Sequence, residues 1–318
     1  MKSFGNFIIV AVLFVFLTGC SIRVSEKTDV PTAVTNVDPT DVPTAITNHT
    51  LIIGHRGARS LAPENTIAAA RKAFEVGADM WELDVAVTSD HELVVLHDDT
   101  LDRTCNAKDL FPSKVPWRVW EFSLSEISTL DCGSWFIRTD PFGQIKAGAV
   151  SQEEADSYAG EPLPTLRQAL EYTRDNDWRV NVELKDQPND EYGQILVEKT
   201  VALINELAMD DGIQVAISSF NHAYLTMVRS LNPNIPVQAL TSTKIKNLSE
   251  YLSDLGTDSC NPKVDVWKPE ELAAFYQDGI EFNVWTVNDE ATMRQLMEAN
   301  VNGIITDYPQ KLVEILNN

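Results

Sequence analysis

Residues 81–98 read WELDVAVTSDHELVVLHD. Glu82 and Asp84 stand at i, i+2 in an apolar run, so on a strand Met80–Val85 both side chains point to the same face. Two carboxylates on one buried face repel each other and are costly to desolvate. A divalent cation neutralises them most simply, and an all-oxygen donor set suits Ca²⁺ or Mg²⁺. The seven residues between Val85 and Leu93 leave no room for a helical crossover, which takes about a dozen residues or more. The turn-rich Thr88-Ser89-Asp90-His91 therefore predicts a hairpin. Folded about Ser89-Asp90, it sets His97 opposite Glu82, with cross-strand neighbours about 5 Å apart.

Working outward, His55-Arg56-Gly57 follows a short strand, with glycine allowing close approach of a ligand to the backbone. A histidine beside an arginine at a strand end reads as an anion site. Pro63-Glu64-Asn65-Thr66 reads equally well as a helix start or as a brace for that loop. Glu183 and Lys185 repeat the i, i+2 geometry on a later strand, adding a third carboxylate and a cation for phosphate oxygens. His55 and His97 suit general acid–base work, since imidazole titrates near neutrality. His49, His91 and His222 lack such company and read as structural or exposed. Trp285 is placed to wall a pocket, and Asp307, just before Tyr308-Pro309, to cap the last helix.

The rest of the domain alternates short apolar strands with helical patterns. Strands are expected at 51–54, 80–85, 93–96, 179–184, 213–218, 236–240, 281–286 and 303–306. Helices are expected at 64–76, 166–175, 192–207, 223–230, 269–277, 290–298 and 310–316. About eight strands in this pattern predict an α/β fold with a mainly parallel sheet, closed as a TIM-type (β/α)8 barrel. Residues 107–164 are irregular and aromatic (Trp117, Trp120, Trp135, Phe136 among them). They read as an insertion between early barrel strands, either a cap over the mouth or packing on the wall.

The chain has 318 residues, 44% hydrophobic and 23% charged, with a formal net charge of −22. That charge disfavours nucleic acid as a partner and requires local cations at any anion site. Residues 1–19 combine Lys2, an apolar core from Phe7 to Leu17 and a small-residue ending, as an export signal does. Leu17-Thr18-Gly19-Cys20 resembles a bacterial lipobox. It implies cleavage before Cys20, an acyl anchor on its thiol and a membrane-bound, exported protein, facing the periplasm from the outer membrane if the cell is Gram-negative. Residues 20–49 repeat DVPTAVTN (29–36) as DVPTAITN (41–48), a proline-rich tether leading to a barrel domain at 50–318. Four cysteines show no zinc spacing. Cys105 and Cys132 are the nearest pair, and the sequence leaves their bonding open.

Taken together, HRG…PENT (55–66), ELDV (82–85) through VV.HD (94–98), LDRT.N (101–106), VELK (182–185), SF (219–220), WTVN (285–288) and GIITDYP (303–309) resemble the glycerophosphodiester phosphodiesterase family, within the phospholipase-C-like superfamily. The resemblance implies a metal-dependent barrel enzyme that hydrolyses glycerophosphodiesters to glycerol 3-phosphate and an alcohol. It assigns His55 and His97 as the acid–base pair, Glu82, Asp84 and Glu183 as ligands of Ca²⁺ or Mg²⁺, and Arg56 and Lys185 as phosphate contacts. Two positions depart from the pattern: His91 where the family usually has glycine, and Cys105 where it usually has threonine. A lysophospholipid or other lipid diester is the alternative substrate class, and a ligand-binding lipoprotein without activity the alternative function.

Overall fold

The computed structural model describes residues 50–317; the leader, Cys20 and the tether lie outside the described residues. Nine strands are present among the described residues: β1 (Leu51–Gly54), β2 (Met80–Val87), β3 (Leu93–Val95), β4 (Val180–Leu184), β5 (Val215–Ser219), β6 (Val237–Thr241), β7 (Ser259–Pro262), β8 (Glu281–Val284) and β9 (Gly303–Thr306). They run in the order β1-β9-β8-β7-β6-β5-β4-β2-β3, and β1 also pairs with β2. All pairings are parallel except β2–β3. Eight strands thus close a parallel barrel, and β3 hangs on β2 as an antiparallel extra.

The predicted total of eight strands holds, but its membership changes. Residues 93–96 are not a barrel strand, and β7 with the helix Leu248–Leu255 before it was not foreseen. The reason lies in β7's composition. Ser-Cys-Asn-Pro carries no β-branched or aromatic residue, because its inward side chains join a polar lumen rather than an apolar core. There Gln238 Oε1 accepts from Asn181 Nδ2 (3.0 Å) and Asn261 Nδ2 (2.8 Å), and Asn261 Oδ1 accepts from Asn283 Nδ2 (3.2 Å). Opposite this amide floor, Ile53, Met80 and Ile305 form a small apolar cluster.

The main core lies outside the strands, where Trp81, Leu83, Val85, Val182, Leu184 and Ile217 pack under the helices. Each such side chain stabilises the fold by about 1.5–3 kcal/mol relative to exposure. The helices Leu166–Asp175, Pro269–Gln277 and Glu290–Glu298 have the predicted bounds. The first helix is Ile67–Glu75 rather than 64–76, capped by Thr66 Oγ1 on the Ala69 N–H (3.1 Å). Pro63-Glu64-Asn65 stays out of it, with Asn65 at φ 59°, and serves the barrel mouth instead.

The hairpin forms one residue out of the expected register: Val85 pairs with Val95 and Val87 with Leu93, so His97 is offset from Glu82. The turn has three residues, not two, and His91 at φ 62° supplies the left-handed position that a three-residue loop requires. Residues 107–164 build a second small core (Val119, Phe122, Ile127, Leu130) with Leu101 against β3. A Cys105–Cys132 disulfide joins this segment to the chain that leaves β3.

Gly57 holds the mouth loop against the first helix. At φ +81° it is in the left-handed region, and a Cβ there would sit 2.5 Å from the backbone carbonyl carbon of Ala69. Backbone cannot yield as a side chain does, so Gly57→Ala is expected to cost about 3 kcal/mol. Urea unfolding followed by circular dichroism checks this. An unchanged midpoint would show that the loop relaxes freely.

Candidate active site

At the C-terminal ends of the strands, a cavity of about 200 Å³ is lined by His55, Arg56, Glu82, His97, Glu183, Lys185 and Trp285, with Asn181, Ser218, Phe220, Leu240, Thr286 and Ile305. Seven of the sequence-derived residues therefore meet in one place. Asp84 is not in the lining and is 1% exposed, level with Glu183. No residue of 107–164 lines the cavity; part of the insertion builds its own small core beside β3, and its Phe142 lies against Arg59 and Tyr308.

The carboxylates follow from register. Asp84 is level with Glu183 across β2–β4, and Glu82 stands one inward step below on the same face. Ligand oxygens of Glu82, Asp84 and Glu183 lie within 4.8 Å of one another, all buried. Burial and the neighbouring Asp84 and Glu183 push Glu82 well above the usual carboxylate range. Burial and Asp84 also raise Glu183. Burial would raise Asp84 too, but Arg56, Lys185 and His97 outweigh it and hold Asp84 ionised. Glu82 accepts the Arg56 backbone N–H at Oε2 (2.9 Å), while its Oε1 is buried with no hydrogen-bond partner. An orphaned carboxyl oxygen beside two further carboxyl groups is a donor set that fits a hard divalent cation.

Two cations border the cluster. Arg56 Nε lies 3.4 Å from Asp84 Oδ2, and its Nη1 donates to Glu64 Oε1 (2.7 Å). Lys185 Nζ donates to Glu183 Oε1 (2.8 Å) and lies 3.7 Å from Asp84 Oδ1. Asn65 completes the brace: its Nδ2 donates to Asp84 Oδ2 (2.8 Å).

Each histidine in the cavity leans on a carboxylate. His55 Nδ1 is 2.6 Å from Asp307 Oδ1, and Asn288 Nδ2 donates to the other Asp307 oxygen (2.8 Å). Burial lowers the His55 pKa, Asp307 acts to raise it, and Arg56 lowers it further; the net direction is down. His97 Nδ1 is 2.7 Å from Asp98 Oδ1. A carboxylate on Nδ1 selects the tautomer whose Nε2 is free to exchange a proton. Asp307 was read from the sequence as a helix cap; its carboxylate is at His55 instead. Its one visible signal was an acid directly after a barrel strand, at the same end as the histidines. Arg59 was also missed; it sits 3.6 Å from Asp307 and 3.3 Å from Glu64. His222 is held by Tyr251 Oη (2.6 Å) and the Leu240 carbonyl (2.9 Å), a structural role as expected.

The far wall is apolar. Trp285 donates its Nε1–H to the Asn261 carbonyl (2.8 Å), and its ring meets Phe220 edge-on at 5.5 Å. Together the parts present two imidazoles, two cations and a buried acidic cluster to a small, half-apolar cavity. That combination suits displacement at a phosphorus bearing a small polyol.

Comparison with known proteins agrees. A glycerophosphodiester phosphodiesterase of Caldanaerobacter subterraneus subsp. tengcongensis is 34% identical over 271 residues, covering 84% of this chain and 98% of that protein. One from Bacillus subtilis is 30% identical over 267 residues, covering 81% and 84%. Among solved structures, a phosphodiesterase of Oleispira antarctica in complex with the product sn-glycerol-3-phosphate superposes with a TM-score of 0.69 at 24% identity, covering 84% of this chain and 97% of that one. A glycerophosphodiester phosphodiesterase of Agrobacterium tumefaciens superposes at 0.61 with 27% identity, covering 84% and 100%. Residues 55–311 match the model of the glycerophosphoryl diester phosphodiesterase family, and with the barrel and its mouth as described, the chain belongs to that family.

Proposed function

We propose that the protein hydrolyses glycerophosphodiesters to glycerol 3-phosphate and an alcohol, with His55 and His97 as the acid–base pair and a divalent metal, Ca²⁺ or Mg²⁺, held by Glu82, Asp84 and Glu183. The supporting observation is that both carboxylate-backed histidines line one cavity above the acidic cluster, between Arg56 and Lys185. When bound, the metal supplies positive charge where negative charge gathers on the phosphoryl oxygens. Arg56 and Lys185 orient those oxygens and share that charge, and in a half-enclosed site such preorganised charge counts for more than it would in water. One imidazole takes the proton of the attacking oxygen, and the other protonates the departing alkoxide. Asp307 and Asp98 hold the rings in register for both transfers. Trp285, Phe220 and Leu240 shield one side from water and face the carbon skeleton of the substrate.

Protein stripped with chelator is expected to release glycerol 3-phosphate from a panel of glycerophosphodiesters only after Ca²⁺ or Mg²⁺ is restored. Glu82→Gln is expected to abolish both the rate and the metal-induced rise in Tm. Release without metal would sink the metal assignment. Faster turnover of lysophosphatidylcholine would instead favour the lipid-diester reading, which the exposed Phe220 beside Trp285 makes the second choice.

Asp307→Asn removes the charge that raises the His55 pKa. It is expected to lower kcat by about 10²–10⁴-fold and to move the acid limb of the pH–rate profile to lower pH. A profile unchanged in both respects would return Asp307 to a structural role.

An exported, lipid-anchored location is part of the same proposal. The leader and Cys20 support it, and so does the Cys105–Cys132 disulfide, which suits an oxidising compartment. The wild-type protein is expected in the membrane fraction with an acylated Cys20, and Cys20→Ala without the acyl mass. Equal recovery of both proteins, unacylated, in the soluble fraction would overturn it.

A further inference from the structure

Arg103 lies outside the cavity lining yet touches both halves of its polar scaffold. Its Nε donates to Asp98 Oδ2 (2.5 Å) and its Nη2 to Asp98 Oδ1 (3.1 Å), a two-pronged grip on the carboxylate that holds His97. The same Nη2 donates to Glu64 Oε1 (2.6 Å), the atom that also receives Arg56. Glu64 is 4% exposed, so the far end of this chain of contacts is anchored in the interior. Asp98 is adjacent to His97 in sequence and half-exposed, and a carboxylate so placed swings freely unless something holds it.

The insertion supplies that hold. The guanidinium lies over the ring of Trp135 at 5.8 Å from its centroid. Two residues after Arg103 comes Cys105, and three residues before Trp135 comes Cys132; these two cysteines are bonded. Two flanking hydrogen bonds reinforce the join: Asn106 N–H to the Asp131 carbonyl (3.1 Å), and Asp131 N–H to Asn106 Oδ1 (2.9 Å). The loop carrying Arg103 and the helix carrying its aromatic support are thus tied together covalently.

We infer that Arg103 is a positioning residue that sets the ring of His97 through Asp98, and that the insertion, by way of Trp135 and the Cys105–Cys132 disulfide, exists at this point to hold Arg103 in place. The inference rests on the proposed hydrolysis, in which His97 exchanges a proton with the substrate. Two consequences separate it from a merely structural role. Loss of Arg103 acts on the chemical step, leaving KM nearly unchanged, and it has nothing left to act through once Asp98 is neutral.

The experiment is steady-state hydrolysis of glycerophosphocholine by the metal-loaded full chain, with melting curves for every variant. Arg103→Gln is expected to lower kcat at least 30-fold with KM within threefold of the parent. In an Asp98→Asn background the same change is expected to have less than a threefold effect. Cys105→Ser with Cys132→Ser is expected to lower kcat several-fold in the parent and not at all beside Arg103→Gln. Guanidinium at millimolar concentration is expected to restore part of the rate to Arg103→Ala. Should Arg103→Gln fail to fold, Arg103→Lys keeps the charge over Trp135 but cannot bridge both carboxylates, and an intermediate kcat is expected of it. An active parent whose kcat is unmoved by Arg103→Gln, or equally reduced by it with and without Asp98→Asn, overturns this inference alone. A parent inactive on every diester overturns the proposed hydrolysis and this inference with it.

Discussion

The structure is governed by like-charge repulsion inside the barrel mouth. Glu82, Asp84 and Glu183 are crowded together and nearly dry, which water-free surroundings penalise heavily. Everything nearby is arranged to offset that cost. Arg56 and Lys185 approach different oxygens of Asp84, and Asn65 takes a left-handed backbone conformation and donates to Asp84. The proteins' own cations do not finish the task, since one Glu82 oxygen has no partner. That unsatisfied oxygen is one that a divalent cation would satisfy.

Much of this was legible in the residues themselves. The i, i+2 spacing of Glu82 and Asp84, repeated by Glu183 and Lys185, carries its geometric meaning on any strand. The helices were legible where an amphipathic stripe met a cap, as at Thr165 before Leu166–Asp175. What escaped shares a physical cause: its meaning depends on partners far away in sequence. β7 is polar because its neighbours in the lumen are amides, and no periodicity of its own announces it. The contact of Asp307 with His55 spans 252 positions, and an acid before a helix-opening proline has a local explanation that hides the distant one. The hairpin register was hidden for a local reason: the left-handed turn position is held by His91, which does not announce that conformation as a glycine would.

Three arginines converge on Glu64, and each extends toward a different working part: Arg56 to the carboxylate cluster, Arg59 to Asp307, Arg103 to Asp98. The ion pairs hold Glu64 far below its ordinary pKa, at about 2, against the opposing effect of burial. Buried, hydrogen-bonded networks of this kind specify geometry more than they add stability. The PENT segment therefore belongs to the site as much as to the helix it precedes.

The cavity lining divides unevenly along the chain. Every titratable group in it (His55, Arg56, Glu82, His97, Glu183 and Lys185) comes from β2, β4 and the chain just beyond β1, β3 and β4. The later strands and the residues just after them contribute Ser218, Phe220, Leu240, Trp285, Thr286 and Ile305, all of them uncharged. Under the proposed hydrolysis, the charged and proton-carrying groups fall in one half of the barrel and the neutral wall in the other, with Asp307 crossing back to His55. Such a layout would let the neutral wall be redrawn by exchanging side chains in the second half, while the charged groups of the first half are left undisturbed.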